Sequence, residues 1–110
     1  MKRSFRLTRS TDFKRVRQFG KSYAHPLVVL VTLPNPGTDS RCGVAAGRSL
    51  GGAVQRNRAK RMLREAMRPL MTVIRPGWDL LLLSRRPLAQ AQLPEIQSAL
   101  QQLLRRAGLL

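Results

Sequence analysis

The chain has 110 residues, enough for one domain with a modest core, and 43% of them are apolar, which excludes a disordered basic tail. Its 21 lysines and arginines outnumber 5 acidic residues, and the net charge of +16 indicates a polyanionic partner: DNA, RNA or an anionic membrane. The longest largely apolar run, residues 27–33, is far too short to span a bilayer, and the single cysteine, Cys42, excludes an internal disulfide, which is typical of the reducing cytoplasm.

The first ten residues are predicted to form a mobile basic arm, with Phe5 and Leu7 as its tethers. Such an arm either stays solvated or makes nonspecific contacts with phosphates. Its cations are Lys2, Arg3, Arg6 and Arg9.

A short helix is predicted to follow, from about residue 12 to residue 18. Ser10 or Thr11 is expected to cap it, because their hydroxyls accept hydrogen bonds from the first turn, and Gly20 is expected to end it. Phe13 is predicted to face inward from this helix.

Two strands are predicted between residues 24 and 46. Residues 24–33 are apolar and β-branched, which indicates a strand buried on both faces or nearly so. Residues 34–39 read as a turn, and the short loop suits an antiparallel hairpin with a second strand at residues 41–46. His25, beside Pro26, is interpreted as a strand-edge residue rather than a ligand.

A helix with two opposed faces follows a glycine-rich lead-in at residues 47–52. Apolar residues recur at helical spacing: Ala59, Met62, Leu63, Ala66, Met67 and Leu70. A polar set repeats the pattern in an arc of roughly 100° on the opposite side. This cationic strip consists of Asn57, Lys60, Arg61, Arg64 and Arg68, flanked by Arg56 and Arg58. An ordinary solvated face is the alternative, but the length and order of the strip favour a polyanion-binding surface.

The remaining elements complete the predicted fold. Pro69 should end or kink the basic helix, residues 78–84 form a buried strand, and Pro94 begins a last helix. That helix buries Ile96, Ala99, Leu100, Leu103, Leu104 and Ala107. A strand, helix and strand in succession predict a crossover with a parallel pair. The whole is a single α+β domain over residues 1–110, in the order α-β-β-α-β-α, with a mostly antiparallel central sheet.

Catalysis by the side chains of this chain is not expected. The one histidine is His25, and the five acidic residues have no spacing suited to acid–base chemistry or metal binding. The acidic residues are Asp12, Asp39, Glu65, Asp79 and Glu95. The inventory therefore favours a binding protein over an enzyme that works alone.

The basic helix also carries a family resemblance. Residues 52–66 resemble the signature of the protein subunit of bacterial ribonuclease P, in which an Arg-Asn-Arg core follows Gly-x-Ala-Val and precedes x-Lys-Arg-x-x-Arg. About ten positions match in a fixed order, which is specific for a motif of this length. The resemblance extends from Arg3 to Ala107 and includes Asp12, Phe13, Gly20, Gly43, Val44 and Asp79.

The resemblance implies a subunit of a ribonucleoprotein whose RNA is the catalyst. Its substrate would be precursor transfer RNA, its product the RNA without the 5′ leader, and its Mg²⁺ would be bound largely by the RNA. One protein per catalytic RNA in the cytoplasm is expected. The residues assigned to RNA contact are Arg48, Arg56, Asn57, Arg58, Lys60, Arg61, Arg64 and Arg68. The family's crossover is left-handed, so the same hand is expected here.

The family also binds the single-stranded leader in a cleft between the first helix and the sheet. Phe13 matches a cleft aromatic, whereas Arg17 and Val31 fall where some relatives carry aromatics. Charge is therefore expected to contribute more to leader binding than stacking does. From the residues alone, Phe13 could equally be a core residue.

Other function classes share some of these features. A ribosomal or other structural RNA-binding protein would have similar charge, a DNA-binding protein is a second class, and a protein-only nuclease is a third. The ordered motif argues against a ribosomal or other structural RNA-binding protein. The buried strands do not suggest the helix-turn-helix of a DNA-binding protein. A nuclease would need a carboxylate cluster that the sequence does not indicate.

Overall fold

A computed structural model of the chain describes residues 5–110 and builds them as a four-stranded sheet with helices on both faces. The helices are α1 (Ser10–Phe19), α2 (Ala53–Met67) and α3 (Leu93–Arg106), and the strands are β1 (Lys21–Ala24), β2 (Val28–Pro34), β3 (Arg41–Ala46) and β4 (Trp78–Ser84). Three short 3₁₀ segments, Arg48–Leu50, Arg68–Leu70 and Arg86–Gln90, connect them. The predicted α+β class is confirmed.

Strand β4 lies in the middle of the sheet, whose order is β1-β2-β4-β3. It pairs antiparallel with β2, from Val28 opposite Ser84 onward, and parallel with β3. The predicted parallel pair is confirmed, but the predicted hairpin between β2 and β3 is wrong. The four consecutive leucines of β4 place apolar side chains on both faces of the sheet. Such a strand is most stable with a neighbouring strand on each side, and β4 accordingly lies between β2 and β3. The left-handed crossover stays a prediction.

Strand β1 was not predicted. The sequence indicated one strand over residues 24–33, whereas the chain turns back at His25, whose N–H donates to the Val28 carbonyl at 3.0 Å. The N–H of Leu27 donates to His25 Nδ1 at 3.1 Å, so this histidine is a turn residue. Within β1 only Tyr23 packs on the core, and an exposed edge strand of four residues leaves little apolar pattern in the sequence.

Helix α1 covers one face of the sheet. It starts at Ser10, earlier than predicted, and Arg9 precedes it without a side-chain cap, so the predicted capping by Ser10 or Thr11 is wrong. The predicted end at Gly20 is confirmed for a packing reason: a Cβ at Gly20 would lie 2.4 Å from the Val16 carbonyl oxygen and 2.6 Å from Val31 Cγ1. Glycine lets the helix end approach β2 closely.

Helices α2 and α3 cover the other face and form the main core. The predicted apolar face of α2 is confirmed, with Ala59, Leu63, Ala66 and Met67 buried and Met62 and Leu70 partly buried against the core. Five of the six residues predicted for α3 are buried, and Ala107 packs against them. Helix α2 ends at Met67, directly before the 3₁₀ segment that contains Pro69, as predicted.

The N-terminal segment is docked where the structure describes it. Leu7 is 3% exposed under α1, and Phe5 packs against the main core, so both predicted tethers contact the body of the protein. The Leu7 N–H donates to the Cys42 carbonyl at 2.9 Å, and Arg6 forms a parallel bridge with Cys42. Residues 1–4 of the predicted arm lie outside the described residues. Among residues 5–110, no helix is long and apolar enough to cross a bilayer.

Candidate nucleic-acid interface

Most of the predicted cationic strip lines one open depression on the outer side of α2. Its volume is about 500 Å³, and its walls include Asn57, Lys60, Arg61 and Arg64. Burial of the opposite helix face against the sheet fixes the rotation of α2, so these side chains point away from the core. The structure therefore brings together four of the eight residues assigned to RNA contact.

Three cations of this depression form no salt bridge among the described residues, although the acidic residue Glu65 is one of its lining residues. Among residues 5–110, no carboxylate lies within 4.0 Å of the charged nitrogens of Lys60, Arg61 or Arg64. Glu65 stands at the rim but pairs with Arg68 at 2.7 Å, and that pair is exposed. Like charges one helical turn apart cost a few tenths of a kcal/mol each, so an anion bound here would relieve repulsion.

The other assigned residues lie apart from the depression. Arg58 donates to the Ala89 carbonyl at 3.2 Å and so joins α2 to the segment after β4. Arg68 is paired with Glu65, Arg56 is half-buried on the flank, and Arg48 is exposed in the 3₁₀ turn before α2. Arg58 and Arg68 thus already make contacts within the protein, and the contact of Arg58 with Ala89 is one that a helical-wheel projection does not reveal.

The glycine-rich lead-in leaves the start of α2 open. Gly51 has φ of 113°, in the left-handed region that favours glycine, and Gly52 precedes the helix without a side-chain cap. Uncapped N–H groups at a helix start attract anions. Phosphate binding at this loop stays a prediction.

A second, smaller depression connects the strip to α1. Its volume is about 250 Å³, and Phe13, Gly43, Lys60 and Arg64 are among its walls. The Phe13 ring lies directly over Gly43, where a Cβ would come within 2.7 Å of ring atoms Cε1 and Cζ. The ring is partly exposed, so Phe13 both covers the sheet and offers an edge to the depression.

The open floor beside α1 is apolar. Val29, Leu83 and Ala45 are aligned across three neighbouring strands and are all partly exposed. Arg17 is exposed and stands one helical turn after Phe13, on the same side of α1. Val31 differs from expectation: it is 2% exposed and packs beneath α1, so it supports the floor and offers no contact surface.

An ion-pair network that sequence reasoning missed holds α1 on the sheet. The Asp79 carboxylate, fully buried in β4, accepts hydrogen bonds from Arg41 Nε and Nη2 at 3.0 and 2.9 Å, from Asn35 at 3.0 Å, and from Arg15 of α1. Burial raises the pKa of Asp79, but the hydrogen bonds from Arg41, Arg15 and Asn35 outweigh it and hold the pKa below its ordinary value. The sequence signal for this network was Asp79 itself, a single acidic residue within an otherwise apolar strand.

Arg6 is the other residue that the sequence did not single out. It was grouped with the basic arm, yet it lines both depressions. Only three-dimensional docking of the N-terminal segment brings it to α2, so no sequence periodicity could have indicated this position.

Fixed cations, uncompensated charge and an adjoining apolar floor with an aromatic edge are suited to binding a phosphate polymer. The fold and this surface are typical of small basic α+β proteins that bind nucleic acid. The comparisons with known proteins identify its family.

Residues 1–108 match the family Ribonuclease P. The chain is 45% identical to the ribonuclease P protein component of Herpetosiphon aurantiacus, over 99% of this chain and 89% of that protein. It is 43% identical to the same component of Roseiflexus castenholzii, over 98% and 89%. The solved structure of the Staphylococcus aureus RNase P protein superposes with a TM-score of 0.85 at 29% identity, covering 96% of each chain. The chain belongs to the ribonuclease P protein family.

Proposed function

We propose that this protein binds the catalytic RNA of ribonuclease P and the 5′ leader of precursor transfer RNA, and assists endonucleolytic removal of that leader in the cytoplasm. One protein would bind one catalytic RNA. The RNA carries the chemistry, while the protein supplies fixed positive charge where two polyanions would otherwise repel each other.

The observation that carries this proposal is the uncompensated cluster of Asn57, Lys60, Arg61 and Arg64. The core contacts of α2 fix the helix backbone that carries these donors before RNA arrives, so binding has to order their side chains but not the helix. Arg56, Arg58, Arg48 and Arg68 lie around the cluster. We infer that they contribute mainly at its margin, since Arg58 and Arg68 already have partners in the protein.

The leader is proposed to run along the floor formed by Val29, Leu83 and Ala45, beside Phe13 and Arg17. One aromatic edge and one arginine border this floor, so a base would contact the Phe13 ring while Arg17 contacts the backbone. Val31 would act indirectly, by supporting α1.

Mg²⁺ is proposed to be held mainly by the RNA. Within residues 5–110 no three histidine, cysteine or acidic side chains come together as a metal site, and Asp79 is occupied by two arginines. When bound, Mg²⁺ would supply charge neutralisation at the scissile phosphate.

Reconstitution tests the function directly. Purified protein is added to the catalytic RNA at low Mg²⁺, and the release of leader from precursor transfer RNA is measured. We expect faster leader release with protein than with RNA alone. Protein that leaves the rate unchanged, or that cleaves without the RNA, would contradict the proposal.

The contact surface is tested by salt dependence. Replacing Lys60, Arg61 and Arg64 by alanine should reduce the log–log slope of affinity against salt by about 0.7–0.9 for each phosphate that the variant no longer neutralises. The matched control replaces three exposed cations elsewhere: Lys14, Arg75 and Arg105. Equal slopes for the two triple variants would reject the assignment of the strip.

Phe13 is tested by comparing two ligands. Phe13→Ala should weaken binding of leader-bearing precursor more than binding of the leaderless product, since the ring borders the proposed leader path. Equal effects on the two ligands would make Phe13 a packing residue only.

A further inference from the structure

The strand register arranges the α1 side of the sheet in three rows, each running across β2, β4 and β3. Successive rows are about 7 Å apart along the strands. The first row, here called the charged row, consists of Leu33, Asp79 and Arg41. The middle row consists of Val31, Leu81 and Gly43. The last row is the floor proposed for the leader, formed by Val29, Leu83 and Ala45.

Helix α1 crosses the strands along the middle row, all of which is buried. The Phe13 ring lies over Gly43 in β3, Val16 is buried among the side chains of the middle row, and a Cβ at Gly20 would lie 2.6 Å from Val31 Cγ1 in β2. An α-helix with its side chains is about 10 Å wide, which exceeds the spacing of the rows. A small sideways shift of α1 therefore decides which outer row it also covers.

The two flanks of α1 differ in how they meet the sheet. On one flank Arg15 pairs with Asp79, and Asp12 lies 3.9 Å from Arg41 Nη1. On the other flank Arg17 is exposed beside the floor. Among residues 5–110, the ion pairs between α1 and the sheet all lie on the charged row. The electrostatic attraction of α1 for the sheet thus acts on the side away from the floor.

Two forces on α1 act in opposite directions. The side chains of the floor are apolar and partly exposed, so the removal of apolar surface from water favours a shift of α1 toward them. That shift would draw Arg15 away from Asp79, whose carboxylate is fully buried and has no water to replace a lost partner. The ion pair therefore opposes closure of the floor by the protein's own helix.

We propose that Asp79 is a positioning residue for leader binding, because its ion pair with Arg15 holds α1 against the charged row and keeps the floor open to the leader. The inference rests on the proposed function and adds a residue that acts on the leader only through α1. A residue with a purely structural role would weaken the binding of every RNA alike, whereas this one sets the preference for RNA that carries a leader.

The preference is tested with Arg15→Gln, which removes the link to α1 and leaves Asp79 bonded to Arg41 and Asn35. The control, Lys14→Gln, removes the same charge from an exposed neighbour on α1. The measured quantity is the Kd of the leaderless product divided by the Kd of the leader-bearing precursor, each for the complex of protein and catalytic RNA. We expect Arg15→Gln to lower this ratio by about fivefold, the lower end of coupling between sites, and Lys14→Gln to leave it unchanged. Equal ratios for the two variants would overturn the proposal.

The position of α1 is tested without RNA, by the rate at which a thiol reagent labels a cysteine introduced into the floor by Ala45→Cys. Adding Arg15→Gln should slow this labelling several-fold, and adding Lys14→Gln should not change it. Each charge variant without the added cysteine gives the background from Cys42, which is buried. Equal or faster labelling after Arg15→Gln would show that the ion pair does not hold α1 away from the floor, and would overturn the proposal.

These outcomes separate the inference from the function on which it rests. A wild-type protein that prefers leader-bearing RNA, together with an Arg15→Gln variant that keeps this preference, would refute the positioning role alone. A wild-type protein that binds the two RNAs equally would refute the proposed leader path, and the positioning role would be refuted with it.

Discussion

Asp79 shows how a single residue can fix the position of a helix. Its carboxylate is fully buried and joins Arg15 of α1 to Arg41 of β3, and α1 in turn carries Phe13 over Gly43. A buried charge of this kind is tolerated because hydrogen bonds to two cations and an amide replace its hydration. The geometry of the proposed leader floor therefore depends on a residue that does not line it.

The stability that Asp79 contributes should depend on pH. Its pKa is lowered in the folded protein, so the contribution is full above the ordinary pKa near 3.8 and is lost as pH falls through the folded-state pKa. At about pH 6, Asp79→Asn should lower the free energy of unfolding by about 1.5–3 kcal/mol, the range for hydrogen bonds to charged groups. The difference between the proteins should shrink below about pH 4.

Urea unfolding across this pH range measures the difference. Asp39→Asn is the matched control, because Asp39 is exposed in the turn before β3 and makes no ion pair among the described residues. A difference that does not shrink at all as the pH is lowered below the ordinary carboxyl pKa would contradict the assigned role.

Cys42 is expected to be unreactive in the folded protein. Its thiol is buried in β3 beneath α2, and burial raises its pKa to about 12, so almost no thiolate forms at neutral pH. Titration with a chromogenic disulfide reagent should be slow in native buffer and fast in denaturing urea. Rapid labelling in native buffer would show that the β3 edge opens readily.

At the scale of elements, long periodic helices were the most predictable parts. The opposed faces of α2 and the apolar face of α3 follow directly from residue spacing, since each helix buries one continuous stripe. Strand partners were less predictable. Strand β1 has a single core residue, Tyr23, and nothing local to β2 or β3 indicates that β4 will lie between them.

Gly20 tests the packing of α1 on β2. Gly20→Ala should lower the free energy of unfolding by about 1–3 kcal/mol, because the added methyl would meet the backbone oxygens of Val16 and Thr32 and cannot displace them cheaply. The control is Gly47→Ala, where a Cβ meets nothing within 4 Å. Thermal unfolding of both variants measures the effect, and similar stabilities for the two would show that α1 shifts easily.

At the scale of the whole molecule, net charge opposes folding. A charge of +16 on 110 residues creates self-repulsion that salt screens, because the Debye length falls to about 10 Å at 0.1 M. The melting temperature should therefore rise as sodium chloride is increased from about 0.02 to about 0.3 M. A melting temperature that falls over this range would indicate that the ion pairs around Asp79 outweigh the repulsion.

The site was predictable to the extent that it lies on one helix. Lys60, Arg61 and Arg64 were assigned from spacing within α2, and the structure places them together with Asn57. Arg6 joins them from the N-terminal segment, and Arg58 donates a hydrogen bond to the Ala89 carbonyl. Both placements depend on tertiary contacts that only the folded chain makes. Sequence periodicity predicts which residues of α2 line the depression, and tertiary packing determines which residues from elsewhere join them.

The central position of β4 also has a consequence for synthesis on the ribosome. Strands β2 and β3 are synthesised before β4 and do not pair with each other. Strand β2 can pair with β1 along one edge, but its other edge and strand β3 both need the partner formed by residues 78–84. Until those leucines emerge, the nascent chain carries two unsatisfied strand edges and a cluster of positive charge beside ribosomal RNA. Chaperone contact or early termination before residue 84 should therefore affect the folding yield of this protein more than that of a protein built from consecutive hairpins.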